Sequence, residues 1–218
     1  MTPAIDEVRV DGARPLSAPT TEALNQVCDR AEDLDASGLV TLHVSGAPEP
    51  GWPADLTVGL VAKWERAVRR LERLWLPTVA VAAGDVGGTA LDVLLAVDVR
   101  VAAPGTRLVV PVDGEATWPG MAIYRLARQA GTGRVRRAAL LGEPIDAEDA
   151  VAFGLLDQIA PEPDQAVAAV AERAADIAGQ ELAIRRQLLL DAGRTSFEDA
   201  LGSHLAACDR ALRRGRTP

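Results

Sequence analysis

The sequence predicts an α/β fold with a helical C-terminal extension. Three observations carry this. Short apolar runs of strand length, such as residues 79–83, alternate with longer stretches at the 3.6-residue helical period. The alternation stops near Pro161, and helical pattern runs alone from there. The 218 residues are 48% apolar and 25% charged, an ordinary globular composition with enough chain to bury a sizeable core. Aromatic residues make up only 3%, so that core must be built from Ala, Val and Leu.

Taken in order, Val8 and Val10 mark a first strand ending at Asp11-Gly12. Thr20 or Thr21 suits the cap of a helix carrying Leu24, Val27, Ala31 and Leu34 at helical spacing. Residues 39–44 read as a strand containing His43, followed by a Pro- and Gly-rich loop over 45–53. Asp55 opens a long helix. Leu56, Leu60, Val61, Trp64, Val68, Leu71 and Trp75 fall on one face, and Lys63, Arg66, Arg69, Arg70 and Arg73 largely on the other. A strand at 79–83 runs into the glycine turn 84–88, and an almost wholly apolar helix starts at Thr89. Two short strands (97–102 and 108–110), a polar loop at 113–115 and Trp118-Pro119-Gly120 lead to a helix at 121–129. Helices at 134–141 and from 146, a strand at 155–160, and helices near 165–178, 181–192 and 197–213 complete the chain. The expected organisation is a core over 1–160 and a helical region over 161–218, packing on the core, a subunit interface, or both.

Several function classes drop out. The acidic N-terminus lacks the apolar segment of a secretory signal, and no apolar run reaches membrane-span length. Cys28 and Cys208 lie far apart in no metal or redox spacing, which fits a reduced, cytoplasmic protein. A net charge of −8 argues against nucleic acid as partner. With His43 and His204 as the two histidines and no G-x-S-x-G segment, a Ser-His-Asp triad has no support. Zinc clusters and a phosphate-binding P-loop are absent too.

What survives is the stretch 76–98. A strand, a glycine turn and a buried helix together aim unpaired backbone N–H groups and the positive end of a helix dipole at one point. Asp92, one turn inside that helix, places a carboxylate in apolar surroundings, a combination suited to proton transfer beside a stabilised enolate. The same pattern also fits a glycine turn that only lets a helix pack closely.

Two segments resemble the enoyl-CoA hydratase/isomerase, or crotonase, superfamily. One is L-L-G-E-P-I-D-A-E-D-A-V-A-F-G-L-L-D-Q-I-A-P, residues 140–161; the other is the central stretch with G-D-V-G-G-T-A-L-D. The resemblance implies a crotonase-like spiral of ββα units with a helical C-terminal region that builds homo-trimers or hexamers. It also implies chemistry on an acyl-CoA thioester, coenzyme A arriving as part of the substrate and no permanently bound cofactor. By position, the oxyanion-hole N–H groups fall on Thr89 and Trp52, and the first catalytic acid on Asp92. Gly88, Val112, Trp118 and Gly120 fall on substrate-binding positions, and Arg14 is a candidate for the CoA phosphates. Val112 stands where hydratases carry their second glutamate, so paired activation of water loses one partner, with Asp113 and Glu115 as neighbouring acids.

Within the superfamily, the short length and altered site are most similar to the DpgB proteins of dihydroxyphenylglycine biosynthesis. That resemblance implies a lyase- or isomerase-type enzyme acting beside a type III polyketide synthase and other crotonase-family partners. Its expected role is assisting dehydration and aromatisation to 3,5-dihydroxyphenylacetyl-CoA. A catalytically weak binding subunit and an ordinary enoyl-CoA hydratase or isomerase are the alternatives.

Overall fold

The structure is a computed structural model that describes residues 4–33, 38–52, 56–114, 116–175 and 179–214. Its frame is a mostly parallel sheet. Strand β2 (Leu39–Gly46) lies between β1 (Ala4–Asp11) and β3 (Thr78–Gly87). Residues 79–82 of β3 pair with β4 (Val99–Ala102), and residues 85–87 pair with β5 (Arg107–Val109). Two-residue strands close the edges: β8 (Ile145–Asp146) runs antiparallel to β5, and β9 (Gln158–Ile159) parallel to β4. A separate small hairpin joins β6 (Val112–Asp113) to β7 (Ala116–Thr117).

The helices among the described residues are α1 (Ala18–Asp33), α2 (Val58–Leu71), α3 (Gly88–Leu94), α4 (Ala122–Ala130), α5 (Thr132–Leu141), α6 (Ala147–Ala152), α7 (Pro163–Ala174), α8 (Gly179–Ala192) and α9 (Phe197–Arg214). Strand alternation divides the apolar residues between two faces. Val40, Leu42, Val44, Ala80 and Ala82 join the main core with Trp64, Val68 and Leu71 of α2 and most of α3. Leu39, Val79 and Val101 face the other way, against Ala166, Val167, Val170 and Ala171 of α7.

The differences from the sequence expectation have local causes. The glycine stretch 84–87 continues β3 instead of turning, because β5 supplies ladder partners for residues 85–87 and Arg107 pairs with Asp85. Ser17 caps α1, accepting the Thr20 N–H at 3.3 Å, in place of Thr20 or Thr21. Helix α2 starts at Val58, with the Thr57 hydroxyl accepting the Leu60 N–H; Asp55, its expected first residue, lies outside the described residues. The expected strand 155–160 shrinks to Gln158–Ile159, since Leu155 and Leu156 are buried in the turn after α6. Of the polar loop expected at 113–115, Asp113 ends β6 and Gly114 forms a turn, and Glu115 lies outside the described residues.

Candidate active site

The site is built on the first turn of α3. Gly87 caps this helix in an extended conformation without a side-chain bond, and Gly88 begins it at φ +55°. A side chain at 88 would be doubly opposed. The dihedral is left-handed, and a Cβ there would sit 2.6 Å from Cγ of Pro48. Pro48 belongs to the loop between β2 and α2, so this contact lays that loop over the start of α3. The N–H groups of the first turn, Thr89 included, have no partner within the helix. Thr89 is fully buried, and its hydroxyl has no hydrogen-bond partner.

Asp92 follows one turn later, with 0% of its surface exposed. Its Oδ2 accepts two indole N–H groups, from Trp64 of α2 at 2.8 Å and from Trp118 at 2.9 Å. Its Oδ1 is buried without a partner. Desolvation, reinforced by the nearby Glu65 charge, pushes the carboxyl up to about 7; the two indoles and Arg125 oppose that rise. A carboxyl balanced there can both take and return a proton near neutrality. Thr89 and Asp92 are three residues apart on one helical face, so the first turn presents an unpartnered hydroxyl and an unpartnered carboxyl oxygen side by side.

Trp52 is buried, and its ring packs on that of Trp118 with centroids 5.3 Å apart and planes tilted by 55°. The two rings connect the β2–α2 loop to Asp92. Next to them lies an apolar cavity of about 340 Å³ lined by Trp52, Leu56, Val58, Val61, Ala116 and Pro119, among others. Gly120, just after Trp118, is held in a gap only a glycine fills. A Cβ there would lie 2.9 Å from Trp118 Nε1, 2.9 Å from Glu65 Oε1 and 3.0 Å from Asp92 Oδ2.

Trp52, Trp118, Asp92 and Gly120 are therefore linked by direct contacts, and Gly88 and Thr89 lie in the turn of α3 that leads to Asp92. Two expected residues do not join them. Val112 is 43% exposed at the start of β6, with its Cγ2 against Gly142. Arg14 is 82% exposed on its side chain and pairs only loosely with Asp11, at 3.4 Å. Asp113 accepts the Gly51 N–H at 2.6 Å, which ties the β6–β7 hairpin to the turn carrying Trp52.

Sequence reasoning missed Trp64, Glu65 and Arg125. Trp64 counted only as one of the apolar positions of α2. Glu65 and Glu72 lie seven residues apart, two turns on one face, but nothing in that spacing names the cation that joins them. Arg125 of α4 is that cation, 2.9 Å from Glu65 and 2.8 Å from Glu72.

Residues 58–213 match the family model described as Enoyl-CoA hydratase/isomerase. A protein of Amycolatopsis orientalis named Enoyl-CoA-hydratase is 57% identical over 210 residues, covering 96% of this chain and 97% of that protein. A second protein of that organism, (3,5-dihydroxyphenyl)acetyl-CoA 1,2-dioxygenase, is 30% identical over 141 residues, covering 65% of this chain and 32% of its own length. The crystal structure of an enoyl-CoA hydratase from Mycobacterium smegmatis shares the fold at a TM-score of 0.80 and 18% identity, over 92% of this chain and 83% of that one. An enoyl-CoA hydratase/isomerase family protein from Silicibacter pomeroyi does so at 0.80 and 23%, over 96% and 97%.

Proposed function

This chain belongs to the enoyl-CoA hydratase/isomerase family, and from that premise we propose that it moves protons on a polyketide-type acyl-CoA so that water is lost and the ring becomes aromatic. The product is 3,5-dihydroxyphenylacetyl-CoA, formed beside a type III polyketide synthase. The N–H groups of Thr89 and Trp52 hold the thioester oxyanion. Asp92 carries the proton, presenting its free Oδ1 while the two indoles hold Oδ2. Gly88, Trp118 and Gly120 shape the space around the thioester, and the 340 Å³ apolar cavity takes the ring. Arg14, exposed outside this group, is the candidate contact for CoA phosphates.

One observation carries this reading: Asp92 is a fully buried carboxyl poised near neutrality, and Val112, which the family resemblance puts at the position of the second acid, carries no carboxyl and lies 43% exposed outside that group. Adding water to a double bond calls for a pair of groups around that water. Shuttling a proton on an enolate calls for one. Dehydration to an aromatic ring is strongly downhill, so a single proton carrier suffices. The relative named (3,5-dihydroxyphenyl)acetyl-CoA 1,2-dioxygenase, by its name, acts on that same thioester, which supports the substrate class.

A second reading has one observation in its favour. Asp92 has no exposed surface, as a residue that only braces two tryptophans would have. In that case the protein is a binding subunit that releases product from the synthase. Product formation by the synthase, measured with wild type and with Asp92→Asn, tests both. The proton-carrying role predicts a loss of about 10²–10⁴-fold in Asp92→Asn; equal stimulation by the two proteins supports the binding role. Hydration of crotonyl-CoA is expected to be weak or absent in either case.

A further inference from the structure

A second cavity, of about 620 Å³, opens between α2, α4 and α8. It shares no lining residue with the apolar cavity beside Trp52, and Asp92 is not part of its wall. Its lining holds five arginines against two glutamates, a surplus of three positive charges on a chain whose net charge is −8. The two glutamates are already committed. Glu65 holds Arg125 at 2.9 Å; Glu72 holds Arg125 at 2.8 Å and also Arg69. Among the described residues, no carboxylate pairs with the other three, Arg100, Arg128 and Arg194. Elsewhere on this acidic chain arginines do find carboxylates, as Arg70, Arg107 and Arg186 show. Arg100 comes from β4. Its guanidinium reaches three backbone carbonyls at 3.3–3.4 Å, and its buried Nε has no hydrogen-bond partner. Arg128 and Arg194 are exposed, and each guanidinium carbon lies 5.9 Å from the centre of one ring, that of Tyr124. Arg128 makes a long bond to the Gly193 carbonyl at 3.5 Å. Gly193 leaves it room, since a Cβ there would sit 2.8 Å from Arg128 Nη2.

Cations drawn together without a counter-charge repel one another, so the arrangement is complete only with an anion among them. We propose that this cavity binds the phosphate group of a small phosphate ester. Arg128 and Arg194 donate to its oxygens, and Arg100 supplies charge from the inner wall. Phosphate suits the site better than a carboxylate. It brings up to two negative charges and three acceptor oxygens, enough for two guanidinium forks. The organic part of the ester lies against Tyr124, Met121 and Leu189, which line the same space. The volume falls within the range of small-molecule sites, roughly 300–1,000 Å³. Two sources carry this chemistry: the phosphates of coenzyme A, and a separate phosphate ester. The site does not depend on the proton-carrying role of Asp92.

The test is calorimetric titration of the full-length protein with phenyl phosphate, which joins an aromatic ring to the anion. Wild type should bind it more tightly than inorganic phosphate, with an affinity that falls as salt is added. The double variant Arg128→Gln/Arg194→Gln should bind it about tenfold or more weakly. Its thermal melt should match that of wild type, because both side chains are exposed. Arg14→Gln, altered outside the cavity, should bind like wild type. Repeating the titration with CoA present separates the two sources. An unchanged isotherm assigns the site to a separate phosphate ester. Displacement by CoA, with the double variant losing CoA affinity by the same factor, assigns it to the phosphates of CoA. No binding of phenyl phosphate by wild type, equal affinity in the double variant, or a loss in Arg14→Gln instead would overturn the proposal.

Discussion

Burying Asp92 makes stability depend on pH with a definite sign. Its carboxyl titrates at about 7 in the folded chain, against about 3.9 for an ordinary aspartate. Between those values the native state keeps a proton that the unfolded chain has lost. Stability from this group is therefore fully present below about pH 4, declines as pH rises, and levels off above about 7. The span is on the order of 4 kcal/mol. Asp92→Asn has nearly the same shape and no charge. It is expected to melt at or above the wild-type temperature at pH 8, with that advantage gone near pH 4. Thermal melts across this range check it, and parallel curves for the two proteins would contradict the burial of an ionisable carboxyl. At this scale Asp92, Thr89 and Gly88 were legible in sequence, because an acid and a glycine pair stand out in an apolar run. Trp64 and Trp118 were not legible as hydrogen-bond donors. Periodicity counts an indole as apolar and says nothing about where its N–H points. Val112 follows from the family motif and Arg14 from the need for a cation near the CoA phosphates, and both lie exposed.

Elements meet at glycine. Gly120 lies where α2, α3 and the segment leading into α4 converge, and its missing side chain lets Glu65, Trp118 and Asp92 approach. Gly120→Ala would put a methyl within about 3 Å of three polar atoms, and overpacking of that kind costs about 1–3 kcal/mol. A lowered denaturation midpoint together with loss of product formation is the expected result; a fully active, equally stable variant would show that the gap is not needed. The long periodic elements were the most legible, as α2 and the strands β2 and β3 show. The two-residue strands β6 to β9 were not, because nothing in so short a stretch marks a ladder that distant partners impose. The glycines at 84–87 read as a turn for the same reason: β5, twenty residues on, decides that they stay extended.

Across the whole molecule, the C-terminal helices are anchored by a few specific contacts. Arg186 of α8 is nearly buried. It donates to Asp98 at 2.6 and 2.5 Å and to the Leu76 carbonyl at 3.0 Å, while Asp98 also accepts from Thr78. Arg186→Met should cost about 3 kcal/mol, the scale of breaking a buried pair; an unchanged denaturation midpoint would mean that α8 does not depend on this contact. On α9, Phe197, Leu201, Leu205 and Leu212 remain exposed. The α/β class and the helical extension were legible because patterning repeats over many residues. How α8 docks was not, since one arginine reaching 88 residues back to Asp98 leaves no periodic trace.

The account rests on Asp92 being the group that carries the proton. The most direct measurement is the pH dependence of product formation in wild type and in Asp92→Asn. The wild-type rate should inflect near pH 7, and the residual rate of the variant should be about 10²–10⁴-fold lower with that inflection gone. The same curve from both proteins would contradict it.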